Sequence, residues 1–326
     1  MTVRQAFGRV AIALTVTGPS TALTQSAWVP QHGEVALTTT YQSLVADRHQ
    51  FTNLTGPELT PLEKMLGTDF QSNSLDIGNV RSHALVVDGD VGITDSLAVT
   101  GALAFITARY RGDSPENESF DDGAFHGSVQ DVLLGARYMT TRELWAFTPF
   151  AGVTFPARDY VVLAHAAQGL GLNMLEVGVS VGRILLSDGA AKGYVQGTYG
   201  FAFTESPDED LSLNRNRAAL EAGYFIGRFS LQGFTNWRLV HGGREWSDLD
   251  PEHHPDHIQN HDQTAATREW RYAAGVSFQL SEVMSIDLSY GDLLWGANTH
   301  DARAVSVGWT WGFPAFGGRK LGDGFK

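Results

Sequence analysis

The stretch HGGREWSDLDPEHHPDHIQNHDQ, residues 241–263, holds five of the 11 histidines in this 326-residue chain. Imidazole and carboxylate are the usual ligands of zinc and its neighbours. His253, His254, His257 and His261, set among Asp250, Glu252, Asp256 and Asp262, are therefore candidate metal ligands. Their spacing matches no established zinc motif, and Pro255 stops a helix from presenting them on one face. The alternative is a solvated acidic loop. Acidic runs also stand at 113–122 (DSPENESFDD) and 205–210 (ESPDED). Such a rim suits divalent cations that bridge lipopolysaccharide phosphates, and it concentrates cationic solutes.

Two further histidines invite chemistry. FHGS sets His126 two residues from Ser128, which is the beginning of a nucleophile–base pair if the fold adds a third, orienting group. The chain has no G-x-S-x-G, so no catalytic residue and no cofactor is assigned. LAHAAQGLGLN (163–173) places His165 among small and apolar residues, either as a ligand-touching constriction or as a packed, hydrogen-bonded side chain.

What must position these groups is a set of strands. From Gly33 onward the dominant period is two. NMLEVGVSVG sets Leu175, Val177, Val179 and Val181 against Glu176, Gly178, Ser180 and Gly182; AVSVGWTWGF sets Val305, Val307, Trp309, Trp311 and Phe313 against Ala304, Ser306, Gly308 and Thr310. About twelve such segments are expected, near 33–42, 79–91, 97–110, 128–139, 145–155, 174–186, 193–204, 215–226, 229–240, 266–280, 284–293 and 303–313. Short connections (GITDS, TTRE, SDGAAK, GR, SEV) alternate with long ones at 43–78, 111–127, 156–173, 205–214, 241–265 and 294–302.

That alternation, with large apolar residues on one strand face and Gly, Ser, Asp, Arg and Gln on the other, describes an all-β, transmembrane, antiparallel up-and-down β-barrel. Aromatics near strand ends (Tyr41, Tyr138, Trp145, Tyr194, Trp237, Trp270, Trp309 and Trp311) are expected to form interfacial girdles. An even strand number puts both termini on the short-turn, periplasmic side. No stretch of about 18 apolar residues exists, so membrane-spanning helices are excluded.

The start, MTVRQAFGRVAIALTVTGPSTALTQSA, has the basic, apolar and small-residue regions of a secretory signal peptide, with cleavage after Ala22 or Ala27. The expected organisation is a signal peptide at 1–27, a barrel at 28–313 and a tail at 314–326. Removing 1–27 takes away Arg4 and Arg9 and no acid, so the net charge moves from −13 to −15. So acidic a chain offers nucleic acid no general attraction. Its expected partners are outer-membrane lipids and lipopolysaccharide, small solutes, and the barrel assembly machinery of a Gram-negative cell.

Strand parity then selects an internal set. Arg215 and Arg217 point inward from one strand, Arg238 from the next and Arg271 from the one after, all toward the long-loop ends. Glu221 and Glu269 share that basic wall, and Asp131 and Glu176 are expected to face it across the bore. Such a set either tunes selectivity or braces the wall with salt bridges.

GEVALTTTYQS as opening strand, DVGITDSLAVTGALAFITARY as a strand–turn–strand unit and DDGAFHGSVQDVLLGARY after the second long loop carry a resemblance. The chain resembles bacterial outer-membrane β-barrels of the phenol-degradation MetA-pathway transporter type. The resemblance covers most of the mature chain. It implies a signal peptide, a barrel and a passive pore or uptake role for small, hydrophobic or aromatic solutes, and it supplies no catalytic residue. A lipid-active outer-membrane enzyme and a closed structural or partner-binding barrel are the other two function classes. One departure is the end: WTWGF, which would suit a terminal aromatic strand, is followed by thirteen further residues.

Overall fold

The computed structural model describes residues 26–52, 72–112, 118–142, 144–162, 164–187, 190–207, 210–245 and 261–314. Within them, thirteen strands run in chain order: β1 (Glu34–Thr52), β2 (Ser72–Gly92), β3 (Leu97–Arg111), β4 (His126–Tyr138), β5 (Thr140–Arg142), β6 (Trp145–Pro156), β7 (Met174–Ser187), β8 (Ala190–Thr204), β9 (Arg215–Ile226), β10 (Phe229–Val240), β11 (Arg268–Gln279), β12 (Met284–Ala297) and β13 (Thr299–Pro314). Each pairs antiparallel with its sequence neighbour, β1 pairs with β13, and β4 closes the ring on β6 through Asp131–Arg137 against Pro156–Phe150. β5 is a three-residue continuation of β4 along β6. The result is a closed barrel of twelve antiparallel strands, with no exposed sheet edge.

The shorter strands have 12 residues, which at ~3.3 Å per residue and a tilt of ~40° span about 30 Å, the height of a bilayer core. The outer face carries the large apolar side chains: Leu85, Leu103, Phe105, Phe147, Leu175, Leu220, Leu231 and Val307 are all exposed. Small and polar residues turn inward and are buried, among them Thr38, Thr40, Gln42, Thr148, Ser180 and Ser306. A soluble barrel would have these faces reversed.

Trp237, Trp270 and Trp295 are successive cross-strand partners on β10, β11 and β12 at the long-loop end. Tyr138, Trp145 and Trp311 are exposed at the short-turn end. Tyr194 departs from the expected girdle: it is 2% exposed, inside the bore, because its parity on β8 is that of Gln196 and Thr198.

Two connections also depart from the expectation. Within the stretch 43–78, residues 43–52 and 72–78 are strand, since β1 runs to Thr52 and β2 begins at Ser72, and 53–71 lie outside the described residues. The stretch 294–302 is not a loop: Asn298 alone joins β12 to β13, at a positive φ of 50° that asparagine tolerates. Period-two reading stopped too early there because bulges break the alternation, at Ala46/Arg48 in β1 and at Trp270/Arg271 against β12. Residues 1–25 of the expected signal peptide and 315–326 of the expected tail lie outside the described residues.

Candidate solute path through the barrel

The bore is filled from both ends. At the short-turn end the segment before β1 enters it. The Ala27 N–H donates to Gln196 Oε1 at 2.8 Å, its carbonyl accepts from Thr148 Oγ1 at 2.5 Å, and Arg137 Nη1 donates to the Ser26 carbonyl at 2.6 Å. Arg137 is itself paired to Asp90 at 2.6 Å. The Trp28 ring meets the Tyr194 ring edge-on, with centroids 6.0 Å apart. A Cβ at Gly182 would collide with both Ala27 and Trp28, so glycine there leaves the room this segment occupies. Tyr194 and Gln196 both donate to the buried Glu221, whose two oxygens are thereby engaged within the wall.

At the long-loop end the connection 157–173 turns inward. Ala166 is 0% exposed and packs with Leu44, Ala46, Val80, Ala108, Tyr110, Ala302 and Ala304. The His165 ring stacks on Tyr110 at 4.5 Å. Its backbone N–H donates to Asp121 Oδ2 at 3.2 Å, and the Ala166 N–H donates to Asp121 Oδ1 at 3.0 Å. The Tyr160 hydroxyl donates to Asp131 Oδ1 at 2.5 Å and accepts from the Gly171 N–H at 2.8 Å; Gln130 donates to the Gln168 carbonyl. Burial, and then the neighbouring Asp131 charge, push the Tyr160 phenol well above its ordinary value, so it stays a donor.

The arginine wall forms a third layer. Arg217 Nη2 meets Glu176 Oε1 at 2.7 Å, reaching from β9 to β7 over Gly200 of β8. Arg238 and Arg271 share Glu269, at 2.9 Å and 3.0 Å. Arg271 also donates to the carbonyls of Ala302 and His300 at 3.0 Å each. Arg215 is buried beside them. Glu176 is therefore not across the bore from this wall but two strands along it, bound to it. Asp131 is four strands from β9 and is taken up by Tyr160 of the inward loop.

In a ring of twelve, β2 and β9 are six strands apart and thus opposite. The apolar arc of Leu44, Ala46, Val80 and Ala108 therefore faces the arc of four arginines and two glutamates, a local excess of two positive charges (4 − 2), while the same apolar cluster also takes in Ala273 of β11, beside Arg271. Sequence parity did not show the apolar arc, because Leu44 and Ala46 lie beyond the period-two segment 33–42 and Ala108 reads as merely small.

The other singled-out groups separate. His126 Nε2 lies 2.9 Å from Asp122 Oδ1, whereas the Ser128 hydroxyl donates to the Val129 carbonyl at 2.9 Å. The hydrogen bond from His126, then that from the Ala124 N–H, hold Asp122 below the ordinary carboxylate range. The pair that would activate a serine is thus used within the loop. His253, His254 and His257 lie outside the described residues. His261 begins a single helical turn, His261–Thr264.

No protein-family model matches the sequence, and no curated protein matches it. Solved structures do. An outer membrane channel from Pseudomonas putida F1 superposes with a TM-score of 0.60 at 12% identity, over 88% of this chain and 98% of that one. The NanC porin follows at a TM-score of 0.48, 8% identity, 84% of this chain and 98% of that one. The translocator domain of the autotransporter NalP from Neisseria meningitidis has a TM-score of 0.44 at 11% identity, over 86% of this chain and 89% of that one. The first likeness fixes the fold as that of a transmembrane outer-membrane β-barrel.

Proposed function

We propose that the protein is an outer-membrane channel for small amphipathic solutes, an apolar or aromatic body with an anionic or strongly polar end. The observation that carries this reading is the division of the long-loop half of the bore into an apolar arc and an arginine arc facing each other. A solute with both characters satisfies both walls at once. A simple sugar leaves the apolar arc unsatisfied, and a plain alkane offers no polar group or negative charge to the arginine arc. The inward segments are held by hydrogen bonds and small-residue packing, contacts that can exchange for a solute. In this reading the long loops face the outside, the termini face the periplasm, and lipopolysaccharide and the assembly machinery are the cellular partners. The solute class agrees with the resemblance to MetA-pathway transporters of phenol degradation.

The test is uptake into proteoliposomes of an aromatic carboxylate against a neutral sugar of similar size, alongside planar-bilayer conductance. Faster uptake of the carboxylate, with single-channel steps, supports the proposal. Release of fatty acid from phospholipid without conductance would replace it with a lipid-active enzyme. Neither activity would leave a closed structural barrel.

A further inference from the structure

We propose that His49, His300 and Asp262 form a binding site for a transition-metal dication of the zinc class at the long-loop mouth. It would tie the 241–267 connection to the wall made by β1 and β13. The site differs from the one the histidine-rich run suggests, and two of its three ligands come from strands.

The β1–β13 register sets His49 directly opposite His300. Directly opposed residues on one face have Cβ atoms ~4.5–5.5 Å apart, within reach of one ion for imidazoles. His49 points into the bore because of the bulge in β1. Ala46 faces inward; strict alternation would next bring Arg48 inward and turn His49 out. The register shift between Ala46 and Arg48 inserts one residue, so His49 becomes the inward side chain, 1% exposed, and Arg48 is exposed. On β13, His300 shares the inward parity of Ala302 and Ala304. The two rings meet at 82° with centroids 4.8 Å apart, which lets nitrogens converge as parallel stacking would not.

Asp262 supplies the carboxylate from the helical turn, with Oδ2 3.2 Å from His300 Nε2. One ligand atom from each of the three residues lies within 4.8 Å of the others. Around zinc at ~2.1 Å, tetrahedral ligand atoms sit about 3.4 Å apart. The Asp262–His300 edge, 3.2 Å, is already close to that length, and the edges to His49 lie within 4.8 Å. Water completes the fourth position, reached from the side where Asp262 and His300 stay partly exposed.

The scaffold around the three ligands is ordered. Arg271 grips the His300 and Ala302 carbonyls, fixing β13 where His300 leaves it. The two ends of the connection are zipped by Arg244 N–H to the Thr264 carbonyl at 2.8 Å and Ala266 N–H to the Arg244 carbonyl at 2.9 Å. Thr264, Ala265 and Ala266 are buried, and Gln263 donates to the Leu170 carbonyl at 2.5 Å. Asp262 thus stands on a braced base, not on a free loop tip.

The experiment titrates untagged, refolded full-length protein in detergent with Zn²⁺ by calorimetry and with Co²⁺ by visible absorption. One saturable site with tetrahedral Co²⁺ bands is expected. His49→Ala and Asp262→Asn should each weaken it by more than the roughly 10–100-fold that loss of a ligand's hydrogen-bonding partner costs. The triple variant His253→Ala, His254→Ala, His257→Ala should keep it. Zn²⁺ should also slow tryptic cleavage after Arg244 in the parent and not in Asp262→Asn. If His49→Ala fails to refold, Asp262→Asn, a near-isosteric change outside the strands, still decides. Absence of saturable binding, or binding that follows the triple variant and ignores Asp262→Asn, would overturn the proposal.

Discussion

Gly200 is the residue on which the Glu176–Arg217 bridge depends, and replacing it with alanine tests the arginine wall. The new Cβ would lie 2.5 Å from Glu176 Oε1 and 3.4 Å from Phe150 Cζ. The ring contact is ordinary. The oxygen contact is about 0.8 Å short of the ~3.3 Å minimum of a C–H···O approach, so the carboxylate must swing away. That same oxygen receives Arg217 Nη2 at 2.7 Å. A hydrogen bond between charged groups contributes ~1.5–3 kcal/mol, and the low end applies because the two side chains remain 13% and 20% exposed. Against this, alanine in a strand interior gains roughly 0.5–1 kcal/mol over glycine. Gly200→Ala should therefore destabilise the barrel by about 1 kcal/mol net. In a Glu176→Ala background neither bridge nor clash exists, so the same change should stabilise by roughly 0.5–1 kcal/mol. The assay is reversible urea unfolding in detergent for the parent, both single variants and the double. The coupling should approach ~1.5 kcal/mol, the bridge contribution alone because the alanine gain cancels between backgrounds, well outside the ~0.3–0.5 kcal/mol scatter of independent sites. An equal effect of Gly200→Ala in both backgrounds would refute the bridge as drawn.

Changing Arg215, Arg217, Arg238 and Arg271 together to Gln should shift the reversal potential under a salt gradient toward cations; an unchanged potential at normal conductance would make these residues wall braces only. The intact mass of the mature chain should correspond to cleavage after Ala22, since cleavage after Ala27 would remove the Ala27 contacts with Gln196 and Thr148; a mass starting at Trp28 would contradict that. Tyr160→Phe should raise open-state occupancy in single-channel records while leaving the unfolding midpoint of the barrel close to the parent's, as it removes the bonds to Asp131 and Gly171 that hold the inward loop. The folded phenol titrates above its ordinary value, so this anchoring is fully present below about pH 10 and is lost only as pH rises beyond it; opening of the parent channel at neutral or mildly alkaline pH through loss of this anchor would contradict the assignment.

The barrel was legible because two independent signals agree. Large apolar residues alternate with small or polar ones, and connections alternate short with long. Each depends on local sequence, which single-strand reading handles well. It failed where one residue breaks the period. Beyond Ala46 the alternation of β1 reverses phase, so QFT and the residues before it look like loop, yet they pair with β2 to Thr52. The β12–β13 turn was hidden differently. GANTHDA carries turn residues throughout, and only Asn298 turns the chain.

The interior was legible in charge and illegible in contact. Parity on β9, β10 and β11 selects Arg215, Arg217, Arg238, Glu269 and Arg271, but pairing is a matter of height and reach, which the sequence does not give. Glu176 reads as remote from Arg217 because 40 residues separate them, yet β7 and β9 flank a single strand, and a glycine on that strand opens the way. The same reasoning explains why a histidine-rich loop drew attention away from the better-placed histidines. Density in sequence counts ligands that a loop carries. Coordination requires ligands that different elements hold still, and His49 and His300 are 251 residues apart, on strands that meet only because the barrel closes. Ring closure brings the first strand beside the last, so the β1–β13 seam is where distant residues can form a site that no local pattern reveals.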